Sequence, residues 1–76
     1  MLIVGENEYP IIMYGFIDSG RMLFEMPDVS KEEAESILQN AEEIKYRNSD
    51  GWVNDLSNMK FDGFLPDDER TMVLLK

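Results

Sequence analysis

Pro27-Asp28-Val29-Ser30-Lys31-Glu32-Glu33-Ala34-Glu35-Ser36-Ile37-Leu38-Gln39-Asn40-Ala41 is the stretch that decides the fold class, because it spells a helix with its own start signal. Ser30 followed three residues later by Glu33 is a capping box: the hydroxyl accepts from a first-turn amide, and the carboxylate reaches back to the cap amide. Pro27-Asp28 keeps the preceding chain extended. Glu32, Glu33 and Glu35 sit where the positive end of the helix dipole favours acids. Behind the cap, Ala34, Ile37, Leu38 and Ala41 follow the i, i+3, i+4, i+7 rule and form one apolar stripe. Glu32, Glu35, Gln39 and Glu42 or Glu43 fall on the opposite, outer face. Asn40 is a stop signal, after which Ile44 and Tyr46 alternate with Lys45 and Arg47 as a half-buried strand does.

Upstream of the helix the residues read as strands. Leu2-Ile3-Val4 precedes the polar Gly5-Glu6-Asn7-Glu8, and Tyr9 to Ile17 is a run of β-branched and aromatic residues broken only by Pro10 and Gly15. The pattern predicts a first hairpin. Both faces of the Tyr9–Ile17 run are apolar, Ile12, Tyr14 and Phe16 on one and Ile11, Met13 and Ile17 on the other, which predicts a central or doubly covered strand. Asp18-Ser19-Gly20 supplies a hairpin loop with glycine where positive φ is wanted. Arg21 to Met26 then returns with Met22, Phe24 and Met26 on one side, so residues 2 to 26 read as a meander of about three strands.

Downstream, Asn48-Ser49-Asp50-Gly51 is a turn signal. Trp52-Val53 can open a strand, but Asn54 to Asn58 is rich in loop formers and predicts an irregular connection. Phe61, Phe64 and Leu65 surround Asp62-Gly63, Pro66-Asp67-Asp68-Glu69 makes a charged turn, and Thr71 to Leu75 is a last apolar strand. Strands, one helix, then strands with hairpin-length connections imply an α+β domain: a small antiparallel sheet with one amphipathic helix packed on one face.

Composition bounds the function. The 76 residues leave room for one small domain, which buries about 60% of the surface its unfolded chain exposes. An apolar share of 43% is enough for a core and too high for a disordered acidic tail. With no Cys, neither a disulfide scaffold nor a thiolate zinc module can be built. The first residues carry no basic n-region and their apolar run stops at Val4, which predicts neither a signal peptide nor a membrane span and places the chain in the cytoplasm.

Sixteen Asp and Glu against seven Lys and Arg give a formal charge of -9. Nucleic acid is thereby excluded as a direct partner, since binding a phosphate backbone draws on cations that displace counterions. Catalysis is disfavoured as well: with no His and no Cys the usual nucleophile–base pairs cannot be assembled. Paired carboxylates need a substrate cleft that so short a chain rarely encloses, and no glycine opens a phosphate loop. The expectation is a protein that is not an enzyme and takes no cofactor. Asp67, Asp68 and Glu69, or Asp50-Gly51, offer oxygen ligands, yet neither has the alternate spacing of a calcium loop, so no metal site is expected. A solvated turn that protects strand edges explains the same acids.

The charge argument then inverts. A compact domain rich in carboxylates presents to a nucleic-acid-binding protein the pattern its own ligand presents, and is steered to that basic groove. The acids placed to do so are Glu32, Glu35, Glu42 and Glu43, with Asp67, Asp68 and Glu69. The same charge also serves plain solubility. Trp52, beside a turn, is the candidate aromatic anchor, the alternative being a cap over a small core. Met22 and Met26 read as sheet core and Met13, Met59 and Met72 as strand positions, although thioether-rich patches also serve binding surfaces.

A hairpin carrying Asp18-Ser19-Gly20-Arg21, the acidic capped helix Val29-Ser30-Lys31-Glu32-Glu33-Ala34-Glu35 and the late strand Phe61-Asp62-Gly63-Phe64 together resemble the small acidic proteins encoded by phages and prophages of Gram-positive bacteria. That resemblance implies a short, non-enzymatic product acting by binding in the host cell. Such a product is either an inhibitor of a nucleic-acid-handling or defence protein, as anti-CRISPR proteins are, or an accessory of virion assembly. In the assembly reading the chain forms a homo-oligomer, with Thr71 to Leu75 or Leu2 to Val4 as the pairing edge.

Overall fold

In the computed structural model, which describes residues 1–16, 20–65 and 70–76, the Ser30 hydroxyl accepts a hydrogen bond of 3.2 Å from the Glu33 amide, and the helix α1 runs Lys31–Gln39. Asn40 caps its C-terminus, the side-chain amide donating to the Ser36 carbonyl at 2.9 Å. Ala34 and Leu38 are buried and Ile37 and Ala41 pack half-buried against the same core, so the apolar stripe faces inward as its spacing requires.

Around the helix the described residues form eight strands: β1 (Leu2–Val4), β2 (Asn7–Tyr9), β3 (Ile12–Phe16), β4 (Met22–Glu25), β5 (Ile44–Arg47), β6 (Val53–Asp55), β7 (Phe61–Phe64) and β8 (Met72–Leu75). The class is α+β, with every strand pairing antiparallel. The strands divide between two four-stranded sheets, ordered β2-β1-β5-β6 and β3-β4-β8-β7.

The division corrects the expected three-stranded meander. Pro10, which has no amide to donate, ends β2, and the chain leaves the first sheet there to begin β3 in the second. The first hairpin turns through Gly5 at φ 62, a value glycine adopts freely, with Val4 opposite Asn7. The second is β3–β4; Gly20 has φ 91, while residues 17 to 19 lie outside the described residues. A second correction concerns cover. β3 is an edge strand, and Ile12, Met13 and Tyr14 remain 52%, 41% and 48% exposed. An apolar alternation on both faces requires cover only if something packs there, and strand order, which is set by distant residues, leaves this strand at the rim.

Between Trp52 and Asn58 the structure again departs from expectation, since Val53–Asp55 is a short strand. Lys45 opposes Asp55 and Arg47 opposes Val53, because the Asn48–Gly51 turn brings the chain back beside β5. Asn48 fastens that turn by accepting from the amides of Asp50 and Trp52, both at 3.0 Å. The edges assigned to oligomer pairing are also corrected. β8 (within Thr71 to Leu75) and β1 (Leu2 to Val4) are inner strands with neighbours on both sides, so their backbone groups are already spent.

One core joins all three layers. Met22, Phe24 and Met26 from the β4 segment meet Val73 and Leu75 of β8, Leu2 and Val4 of β1, Ile44 of β5, Leu56, and Ala34 and Leu38 of α1. Leu23, Met72 and Leu74 form a smaller cluster, Leu23 lying opposite Leu74 on the alternate face of β4 and β8. The helix entrance is tied to β8 through Thr71, a buried residue whose hydroxyl donates to the Val29 carbonyl and whose own carbonyl accepts from the Met26 amide at 2.9 Å. Replacing Ser30 by Ala removes one cap and should cost about 1 kcal/mol in a urea denaturation series.

Candidate protein-interaction surface

The acids on α1 are outward because the other side of the helix is spent on the core. Glu32, Glu33 and Glu35 are all exposed, and Glu35 accepts from Gln39 at 3.1 Å, one turn on. Glu42 and Glu43, assigned from the sequence to the outer helix face, lie instead beyond the Asn40 cap, in the connection to β5. They nevertheless adjoin it. An open groove of about 530 Å³ at the helix C-terminus is lined by Ser36, Ile37 and Asn40, by Glu42 and Glu43, and by Glu6 from the β1–β2 turn. The Gly5 amide donates to the Glu43 carbonyl at 3.1 Å, which fixes the turn against the connection.

No base occurs between Lys31 and Lys45, so the segment carrying these five glutamates is of one sign. The ion pairs of the described residues lie elsewhere or at its margin: Arg21–Asp62 at 3.3 Å, Arg47–Glu8 and Lys45–Glu43 at 2.7 Å, and Arg70–Glu25 at 3.9 Å. Glu32, Glu33, Glu35, Glu42 and Glu6 take part in none of these. Lys31, at the start of the helix, places its ammonium 5.9 Å over the Phe64 ring, on the side facing the second sheet.

Lys45 is committed to Glu43, one of the groove's own acids, at 2.7 Å. The hydrogen bond and charge of Glu43 hold its pKa above the ordinary lysine value, with a further contribution from Asp55 across the strand pair. Asp55 is held low in turn by hydrogen bonding from Ser57, hydroxyl first and then amide, the amide lying 2.9 Å from its carboxylate.

Trp52 is 74% exposed, with Val53 beside it at 50%. It is therefore an exposed aromatic and not a lid over the core, but the structure does not join it to the acids. Glu43 precedes β5 and Trp52 follows the turn at the far end of that strand. Asp67, Asp68 and Glu69 lie outside the described residues. Glu6 was missed by sequence reasoning: it looks like any turn residue, and only the fold brings it to acids more than thirty positions away. Glu33 was assigned to the cap and the helix dipole and not counted among the contact acids, although its side chain is exposed with the rest.

Among the described residues no group of three or more acids is arranged to hold a metal ion, and no helix is long and apolar enough to cross a membrane. Comparison with family models, curated proteins and solved structures gave no match.

Two measurements check this geometry. Trp52→Ala should change folding stability by less than about 0.5 kcal/mol in urea, since so exposed a side chain supports little; a core lid would cost several times more. For Asp55, folding lowers the pKa, so its contribution is full above the ordinary aspartate value of about 3.9 and is lost as pH falls through the lowered one. The stability difference between wild type and Asp55→Asn should accordingly shrink on acidification through that range.

Proposed function

We propose that this chain is a non-enzymatic binding protein whose helix-side carboxylates occupy the basic, nucleic-acid-binding groove of another protein and so inhibit it. One observation carries the reading. Glu32, Glu33 and Glu35 on α1 and Glu42 and Glu43 in the connection after it fall within residues 32 to 44, a stretch that contains no base, and the fold brings Glu6 to the groove beside Glu42 and Glu43.

Fold stability does not account for all of these positions. Acids in the first turn of a helix are favoured by its dipole, but acids just past the last turn meet the negative end, and the last turn of α1 contains no base to offset them. Glu42, two residues past the Asn40 cap, therefore gains nothing from the helix dipole, and a complementary cationic surface would favour it. Range matters too. Exposed charges are screened beyond about 8 Å at physiological salt, while the molecule is 31 Å in its longest dimension. A partner at the helix side thus meets the local carboxylates and not the protein's average charge, and opposite charge there speeds encounter.

The test uses immobilised protein and a bacterial lysate at low salt, with duplex DNA as competitor. Capture of a nucleic-acid-binding protein should fall steeply as salt rises, DNA should displace it, and replacing Glu32, Glu35, Glu42 and Glu43 together by Lys should abolish it. A captured protein that tolerates this charge reversal, or that DNA does not displace, would refute the proposal.

A further inference from the structure

We infer that β3 is a self-association edge, pairing antiparallel with β3 of a second copy about a twofold axis at Met13. The inference is independent of the helix-side reading and concerns the opposite kind of surface. Tyr9 to Phe16 contains no charged residue, in a chain where nearly one residue in three is charged. β3 is also the longest strand, at five residues.

The four sheet edges differ in how they are guarded. Edge strands are ordinarily blunted by charges, shortness or bulges, because their unpaired amides and carbonyls otherwise recruit another strand. β2 is three residues long and carries Glu8, β6 is three residues long and carries Asp55, and β7 carries Asp62 and a register shift between Phe61 and Gly63. β3 has no charge; its one guard is the register shift between Met13 and Gly15, which confines straight pairing to the strand's first half. Ile12 and Met13 occupy that half and Tyr14 stands at the shift itself, all three about half exposed. The Tyr14 hydroxyl donates to the Glu25 carboxylate at 2.6 Å, so the ring is already held in place before any partner arrives.

Electrostatics select the occupant. A cationic protein is drawn to the helix-side carboxylates, not to a neutral rim. Two copies, each of charge -9, repel one another wherever glutamates face, and the uncharged strand is where they approach at least cost. A twofold pair is self-complementary: Met13 meets Met13 and Ile12 meets Tyr14, so apolar surface covers apolar surface on both sides of the axis. Three half-exposed side chains fall short of the about 800 Å² per partner of a standard interface. Main-chain hydrogen bonds carry the contact, and the dimer is weak and concentration-dependent.

Cysteine cross-linking reads this geometry directly, because the chain has no cysteine of its own. Opposed residues of an antiparallel pair have Cα atoms about 4.5 to 5.5 Å apart, within disulfide reach. Under mild oxidation Met13→Cys should give a covalent dimer on non-reducing electrophoresis, while Val53→Cys, on the β6 edge and somewhat more exposed, should stay monomeric. In sedimentation the wild-type mass should rise with protein concentration and rise further with added salt, which screens the repulsion; Met13→Glu should remain monomeric. The salt response is opposite in sign to that expected of a cationic partner. The quadruple Glu-to-Lys variant should still dimerise, so failure of the groove-binding proposal leaves this result standing. A folded Met13→Cys protein that does not cross-link, equal cross-linking of Val53→Cys, or a wild-type chain that stays monomeric at millimolar concentration would overturn the assignment and leave the edge to a foreign strand.

Discussion

Everything in this molecule depends on one apolar layer shared by two sheets and a helix. Neither four-stranded sheet has a second layer of its own, and a single small sheet with one face bare is not a stable unit. Phe24, fully buried, meets the first sheet through Tyr46, whose ring lies 6.5 Å from its own, and Leu2, Leu75 and Met26 close around the same centre. The helix supplies the remaining wall with Ala34 and Leu38. Because one layer is common to all, loss of any wall exposes the other two, and a 76-residue chain has little reserve stability to absorb that.

The surface follows from how that layer is filled. Each inward side chain on α1 forces its neighbours outward, and those neighbours are glutamates, so burial itself orders the carboxylates on the helix side. The strands behave differently. Glu8, Glu25 and Asp62 on the strands are each paired with an arginine, Arg47, Arg70 and Arg21 respectively. One molecule thus carries an anionic flank of helix and adjoining turns beside strands bearing these ion pairs, and the neutral rim at β3 belongs to the second kind.

Local patterns were legible where local physics decides. Ser30 with Glu33 marked the start of the helix and the Ala34-to-Ala41 spacing its buried face, whereas its end was not fixed by the sequence: Glu42 and Glu43 were placed on a helix that stops at Asn40. Met22, Phe24 and Met26 were recognised as core from their alternation. What could not be read was set by residues far away. Tyr9 to Ile17 has the composition of a covered strand, yet its β3 part, Ile12–Phe16, stands at a rim because β8, from the far end of the sequence, takes the other side of β4. Thr71 to Leu75 and Leu2 to Val4 were offered as edges for the same reason in reverse. The short β6 exists because the Asn48 turn returns the chain beside β5, overriding a sequence of poor strand formers. Of the acidic surface, the helix members were visible in the sequence, whereas Glu6 was not.

The order in which the chain visits its sheets has one more implication. Each sheet is assembled from two hairpins separated by the helix: β1–β2 must wait for β5–β6, and β3–β4 must wait for β7–β8. During synthesis the first hairpin pairs therefore emerge without their inner neighbours, and the last strand in sequence, β8, fills the middle of its sheet. Such long-range closure slows folding relative to a chain built from sequential neighbours. Until β8 docks, β4 has no neighbour on one side, and the folding chain is most exposed to misassembly in that interval.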